Sequence, residues 1–215
     1  EGAELVKHYR DLAFMGFAEV IKNLPTILQN ISFCKSDIEA FQPDAIVLID
    51  YPGFNLRIAA WAKKKGFKVI YYIAPQVWAW KENRVRAMKQ NIDLMLTILP
   101  FEKEFFKKRW DWDVTYVGHP LAHLIETYKA NHSADKSKKI IALLPGSRKQ
   151  EIKLKLPIML QASRAFPQFQ FVVALAPGQE DSFYTAFLSG YKNIQTTRNT
   201  YELLNNASAA LVTSG

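Results

Sequence analysis

From Ala45 onward, short apolar runs alternate with helix-like segments, and this alternation restricts the fold more than any other feature of the chain. Residues 45–50 (AIVLID), 67–73 (FKVIYYI), 93–98 (DLMLTI), 113–117 (DVTYV), 140–144 (IIALL), 169–174 (FQFVVA) and 208–212 (SAALV) predict strands. Their apolar residues run continuously, as parallel strands covered on both faces require. Residues 55–65, stopped by Gly66, and 81–90, 101–109, 157–166 and 179–188 predict helices. Repeated strand–helix–strand units imply an α/β fold with open parallel sheets and right-handed crossovers. The polar stretch 129–139 (KANHSADKSKK) interrupts the alternation. It reads as a linker dividing residues 1–130 from 138–215, the alternative being a long surface loop within one domain.

A chain of 215 residues, 49% of them hydrophobic, is long enough to bury a real core as one large or two small domains. Its 28 Lys and Arg against 20 Asp and Glu leave a net charge of +8, which favours an anionic partner without choosing among phosphate, nucleotide, acidic lipid and nucleic acid. One cysteine, Cys34, cannot form an intrachain disulfide, and no His/Cys cluster has zinc spacing. A reducing cytoplasm and a metal-free structure are therefore the expectation. The longest apolar runs, near 45–49 and 69–74, fall far short of the roughly 18 residues that span a bilayer. The chain opens at Glu1 with neither an initiator Met nor a signal-peptide pattern, and it closes on LVTSG as a strand enters a loop. It reads as a piece of a longer protein.

In open α/β sheets ligands bind beyond the carboxyl ends of strands, and the chemically interesting residues fall there. LPGSR follows the strand at 140–144. Gly146 permits close backbone approach, its amide and that of Ser147 can face an anion, and Arg148 can pair bidentately with phosphate. Pro157 suits a first helical turn, which leaves 145–156 as a loop. A plain turn carrying an exposed Arg has the same composition. LIDYPGFN follows the strand at 45–50. There Asp50 could act as a general base or serve only the turn, and Asn55 could cap the next helix and reach a sugar. After 67–73, Gln76, Trp78, Trp80 and Arg84 suit stacking and hydrogen bonding to a sugar or base, and equally suit core and rim. After 113–117, Gly118 supplies a turn and His119 a polar group, either a base or a hydrogen-bonded structural residue. In residues 14–31, Phe14, Phe17, Val20, Ile21, Leu24, Ile27 and Leu28 recur at helical spacing around Pro25. Such a stripe serves core packing, or an interfacial helix on anionic lipid.

Six stretches in order, LAFMGFAEVI, PDAIVLIDYPGFN, VWAWKENRV, LPFEKEFF, VGHPL and LLPGSRKQEI, resemble the lipid-A-disaccharide synthases, bacterial glycosyltransferases of lipid A assembly. The resemblance nearly covers residues 10–152 and is looser beyond, until TSG. It implies a GT-B architecture of two Rossmann-like lobes: residues 1–130 as the acceptor- and membrane-facing lobe without its first strand and loop, and 138–215 as the start of the UDP-binding lobe. The implied reaction moves 2,3-diacylglucosamine from UDP-2,3-diacylglucosamine to 2,3-diacylglucosamine 1-phosphate, with inversion and without metal or cofactor, at the cytoplasmic face of the inner membrane. Residue by residue it implies Asp50 as catalytic base and Asn55, Gln76, Trp78, Arg84 and His119 at the substrates. Gly146, Ser147, Arg148, Ser214 and Gly215 would lie at UDP, and the apolar stripe of residues 14–28 on anionic membrane lipid. A homodimer is compatible with it, and nucleic acid is not among the implied partners. The sequence departs from the family pattern at Gly53, where many relatives carry Asp, and at His123, where they carry an acid. The family's first strand with its Gly- and Ser-rich loop has no counterpart before Glu1, and its Thr-Ala-Thr-Leu-Glu stretch is absent after Gly215. A different GT-B nucleotide-sugar transferase or epimerase is the competing reading.

Overall fold

The computed structural model describes residues 4–7, 24–191 and 193–213. The chain divides into two compact units, Glu1–Pro120 and Leu121–Gly215.

In the first unit, helix α1 (Leu24–Phe41) precedes strand β1 (Ala45–Ile49), followed by α2 (Pro52–Lys64), β2 (Lys68–Tyr72), α3 (Arg84–Asn91), β3 (Leu94–Thr97), α4 (Pro100–Trp110) and β4 (Thr115–Tyr116). The strands are parallel in the order β1-β2-β3-β4, with Ile46 opposite Val69 and Tyr71 opposite Met95. A sheet that advances one strand at a time through right-handed crossovers places the crossover helices on one face. Burial follows that geometry. Ile46, Leu48, Val69, Tyr71 and Met95 point into a core shared with Ile58, Ala59 and Ala62 of α2, Val85 and Met88 of α3, and Ile27 and Ile31 of α1. The alternate positions Val47 and Ile49 are each 56% exposed. Both-face coverage, expected from the continuous apolar runs, therefore does not hold here among the described residues, because the crossovers cover only one side.

In the second unit, α5 (Pro120–Asn131, whose first residue belongs to the first unit) leads to β5 (Ile140–Leu144), α6 (Lys149–Ser163), β6 (Gln170–Ala174), α7 (Asp181–Leu188), β7 (Ile194–Thr197), α8 (Thr200–Asn206) and β8 (Ala209–Val212). The parallel order is β7-β6-β5-β8. The chain thus moves outward from β5 through β6 to β7, then returns to pair β8 on the other side of β5. Here both sheet faces are covered, as expected. Leu143, Phe171 and Val173 join Ile152, Leu156 and Leu160 of α6, while Ala142, Val172 and Ala174 pack against Leu203 of α8. Full burial of each such Leu or Ile contributes roughly 1.5–3 kcal/mol, so this two-faced core carries most of the unit's stability.

Two boundaries and three elements differ from the sequence reading. The division falls at Pro120/Leu121 and not within 129–139. Tyr128 of α5 stacks on Tyr201 of α8 at 5.6 Å, and Asp135 N–H donates to Asn206 Oδ1 at 2.9 Å, which ties this stretch to the second unit. Helix α6 begins at Lys149, eight residues ahead of the expected start, with Pro157 inside it. A carboxylate that caps its first turn sets this start, as described below. Strand β7 and helices α5 and α8 extend the predicted set.

Candidate functional site

The strand order of the second unit reverses direction between β5 and β8, and at such a switch point the loops beyond the carboxyl ends diverge to leave a crevice. The crevice is present, with a volume of about 310 Å³. Gly146, Ser147, Ala176, Thr200 and Thr213 are among its lining residues. Thr213 closes the β8 side, its N–H and its hydroxyl both donating to the Leu144 carbonyl, at 3.1 and 3.2 Å.

The loop between β5 and α6 is only Pro145–Arg148, and Gly146 adopts φ 107°, a backbone state side chains disfavour. A Cβ at this position would lie 2.6 Å from Glu151 Oε2. The close approach has a cause: Glu151 Oε2 accepts the backbone N–H groups of Ser147 and Arg148, each at 3.3 Å. Its Oε1 stands 3.5 Å from the Arg148 guanidinium. Of the groups the sequence offers to an anion, the Ser147 amide and the Arg148 guanidinium are thus already turned toward one, the chain's own carboxylate, and the second amide is that of Arg148 in place of Gly146. Glu151 sits in the first turn of α6 and reaches back to the unpaired amides before it, which is why the helix starts at Lys149.

Gln179, a residue the sequence reading does not single out, fastens the Ser147 loop from the β6–α7 connection. Its Nε2 donates to the Ser147 carbonyl at 3.2 Å, while its Oε1 is buried without a hydrogen-bond partner. Arg198 braces the loop by donating to the Gln179 carbonyl at 3.0 Å and pairing with Asp181.

In the first unit, Asp50 and Tyr51 end β1 with φ 46° and 45°. Two successive non-glycine residues in the left-handed region cost free energy, which surrounding bonds must offset. The Asp50 carbonyl accepts the Tyr71 hydroxyl at 2.6 Å and Asn55 Nδ2 at 2.8 Å, and Asn55 Nδ2 also donates to the Ile49 carbonyl at 3.0 Å. The Asp50 side chain itself is exposed. Burial, reinforced by the nearby Asp50 charge, pushes the Tyr71 phenol well above its ordinary value, so this hydroxyl remains a donor. The expected helix-capping role of Asn55 is corrected. Helix α2 starts at Pro52 behind Tyr51, so Asn55 lies within the helix and its amide fastens the strand end.

Gln76 and Trp78 lie in the β2–α3 connection, and Arg84 opens α3. Gln76 is exposed. Trp78 is half-buried, with its indole N–H donating to Glu102 Oε1 at 3.3 Å and its ring edge-on to Phe101, so its polar edge is committed to the fold. Arg84 lies over the Trp80 ring, 5.6 Å from its centroid. Glu102 repeats the device of Glu151: in the first turn of α4 its Oε2 accepts the Leu99 N–H at 2.9 Å. His119 is half-buried behind Gly118. Of the apolar stripe, Ile27 is in the core, whereas Leu24 and Leu28 are 46% and 53% exposed. Phe14, Phe17, Val20, Ile21, Ser214 and Gly215 lie outside the described residues. Among the described residues no helix is long and apolar enough to cross a membrane.

Residues 1–215 match the family described as lipid-A-disaccharide synthetase. A lipid-A-disaccharide synthase from Trichlorobacter lovleyi is 38% identical over 226 residues, which takes in 100% of this chain and 59% of the relative. Lipid-A-disaccharide synthase 1 from Legionella pneumophila strain Lens is 40% identical over 186 residues, or 81% of this chain and 48% of that one. The chain therefore spans less than two thirds of these relatives. Among solved structures, a UDP-GlcNAc 2-epimerase from Methanocaldococcus jannaschii matches with a TM-score of 0.53 at 14% identity, covering 94% of this chain and 63% of that chain. That likeness concerns the fold, a GT-B-like pair of Rossmann-type units with parallel sheets. With the match extending over its full length, this chain belongs to the lipid-A-disaccharide synthase family.

Proposed function

We propose that this chain forms part of an inverting glycosyltransferase that moves 2,3-diacylglucosamine from UDP-2,3-diacylglucosamine to the 6-hydroxyl of 2,3-diacylglucosamine 1-phosphate. The products are the β-1,6-linked disaccharide 1-phosphate and UDP. The observation that carries this reading is the crevice at the β5/β8 switch point, where two backbone amides and a guanidinium already converge on a carboxylate.

In the proposed reaction the acceptor oxygen attacks the donor's anomeric carbon, the bond from that carbon to the diphosphate oxygen breaks, and the acceptor's proton passes to the Asp50 carboxylate. Charge develops on the departing UDP. The Ser147 and Arg148 amides and the Arg148 guanidinium would meet that charge with Glu151 displaced, and preorganised donors of this kind are the usual largest contribution to lowering such a barrier. Ser214 and Gly215 would extend the same contact. Asn55, Gln76, Trp78, Arg84 and His119 would shape the acceptor side, with Asn55 and Trp78 acting mainly by holding the strand end and the loop.

Diacylated substrates keep their chains in a bilayer, so the enzyme has to work against one. The exposed Leu24 and Leu28, with Phe14, Phe17, Val20 and Ile21, would supply the apolar contact, and the net charge of +8 the attraction to anionic lipid at the inner membrane. The test is acceptor-dependent UDP release by the full protein, paired with UDP binding by the Arg148→Ala variant. We expect release only when both acylated sugars are present, and at least tenfold weaker UDP binding in the variant. Unchanged UDP binding would overturn the assignment of the crevice.

A further inference from the structure

The groove between α2 and α3 on the first unit is separate from the β5/β8 crevice, and of its lining residues only Arg84 enters the proposal above. Its volume is about 260 Å³, and its lining includes Gly53, Leu56, Arg57, Ala60, Arg84 and Met88. Apolar residues contribute to the lining, among them Ala59, Met88 and Ile92, all buried. Arg57 and Arg84 line the same groove, and neither has a carboxylate partner among the described residues. Arg84 is further fixed by lying over Trp80. Two guanidiniums beside an apolar trough, with no acid between them, complement a ligand that joins a phosphate to a hydrocarbon.

We infer that the α2–α3 groove binds the phosphomonoester end of an acylated sugar phosphate, with Arg57 and Arg84 on the phosphate and the trough taking the first part of an acyl chain. The inference rests on the transferase reading, in which the acceptor carries such a phosphate. Its size supports a partial grip. At about 260 Å³ the groove is smaller than the roughly 300–1,000 Å³ of sites that enclose a drug-sized ligand, so it accepts a headgroup and chain segment and leaves the rest outside. Its position also fits. Pro52 and Gly53, directly after Asp50 and Tyr51, line the groove, so a phosphate held there would leave the sugar near the proposed base. Sequence reading placed Arg84 at a substrate but did not single out Arg57, which looks like one more surface cation on a helix.

The probe is dodecyl phosphate, compared with dodecyl glucoside below their micelle-forming concentrations, by calorimetric titration of the full protein. UDP is titrated on the same samples. We expect the phosphate to bind at least tenfold more tightly than the glucoside. Arg57→Ala and Arg84→Ala should each remove most of that preference, and Arg57→Lys should restore part of it. Equal affinity for the two amphiphiles, or an unchanged preference in both alanine variants, overturns the inference. If UDP binds but the phosphate preference is absent, this groove assignment alone fails. If UDP does not bind either, the transferase reading fails with it.

Discussion

The Tyr71 hydroxyl donates to the Asp50 carbonyl at 2.6 Å, from one strand of the sheet to the end of its neighbour. This bond matters because Asp50 and Tyr51 both stand at positive φ and the strained turn presents the Asp50 carboxylate. Tyr71→Phe keeps the ring in the core and removes only the donor. It should lower stability by about 1 kcal/mol, and it should lower turnover through loosened placement of Asp50. Chemical denaturation and steady-state kinetics on one preparation check both effects.

The same residue predicts behaviour in alkali. The Tyr71 phenol is raised in the folded protein by burial first and by the Asp50 charge second, whereas in the unfolded chain it titrates near its ordinary value of about 10. Above that pH the unfolded state loses a proton that the folded state keeps, so this contribution to stability is complete below about pH 10 and is lost as pH rises further. Unfolding free energy measured across this window should fall more steeply for the natural protein than for Tyr71→Phe. Parallel slopes would mean the phenol does not differ between the two states.

Gly146→Ala tests the geometry of the crevice. An added methyl would meet Glu151 Oε2 at 2.6 Å and would have to adopt φ 107°. We expect a loss of about 1–3 kcal/mol, read as a lower Tm, with weakened UDP binding in whatever remains folded. A variant with unchanged Tm would show that the loop has another conformation open to it.

Much of the fold was legible because parallel strands and their crossover helices differ so clearly in pattern. The missed elements had weaker apolar patterns or clues of another kind. Strand β7 (IQTT) is threonine or glutamine at three of its four positions and pairs only at a sheet edge. Helix α8 is seven residues long, yet Asn199, whose side chain accepts the Glu202 N–H, announces it in the sequence NTYE. The same clue lay in RKQE, where Glu151 caps α6, but Pro157 drew attention to a later start. At the candidate site, LPGSR reads as an anion loop or as a plain turn with an exposed Arg. That its amides are held by Glu151, or that Gln179 comes in from a distant loop, depends on where α6 and the β6–α7 connection are placed. No local pattern encodes that.

Glu151 gives a separable prediction. Glu151→Gln keeps an oxygen that can accept the Ser147 and Arg148 amides but removes the charge facing an incoming diphosphate. Stability should change by less than about 1 kcal/mol, and UDP affinity should rise by about fivefold, the size of one removed like-charge contact near a helix start. Weaker UDP binding would instead make Glu151 a ligand contact or a brace that the loop requires.

Asp50→Asn isolates the proposed base. The bonds from Tyr71 and Asn55 go to the Asp50 carbonyl, so the variant retains them, and asparagine tolerates the left-handed backbone at least as well as aspartate. Fold and Tm should therefore be preserved. Turnover should fall by a factor on the order of 100 to 10,000, the range for loss of a positioned general base. UDP binding, proposed for the crevice of the second unit, should not change. That combination separates a chemical role from a structural one: a parallel loss of Tm would assign Asp50 to the turn, while full activity in a stable variant would move the base to another residue.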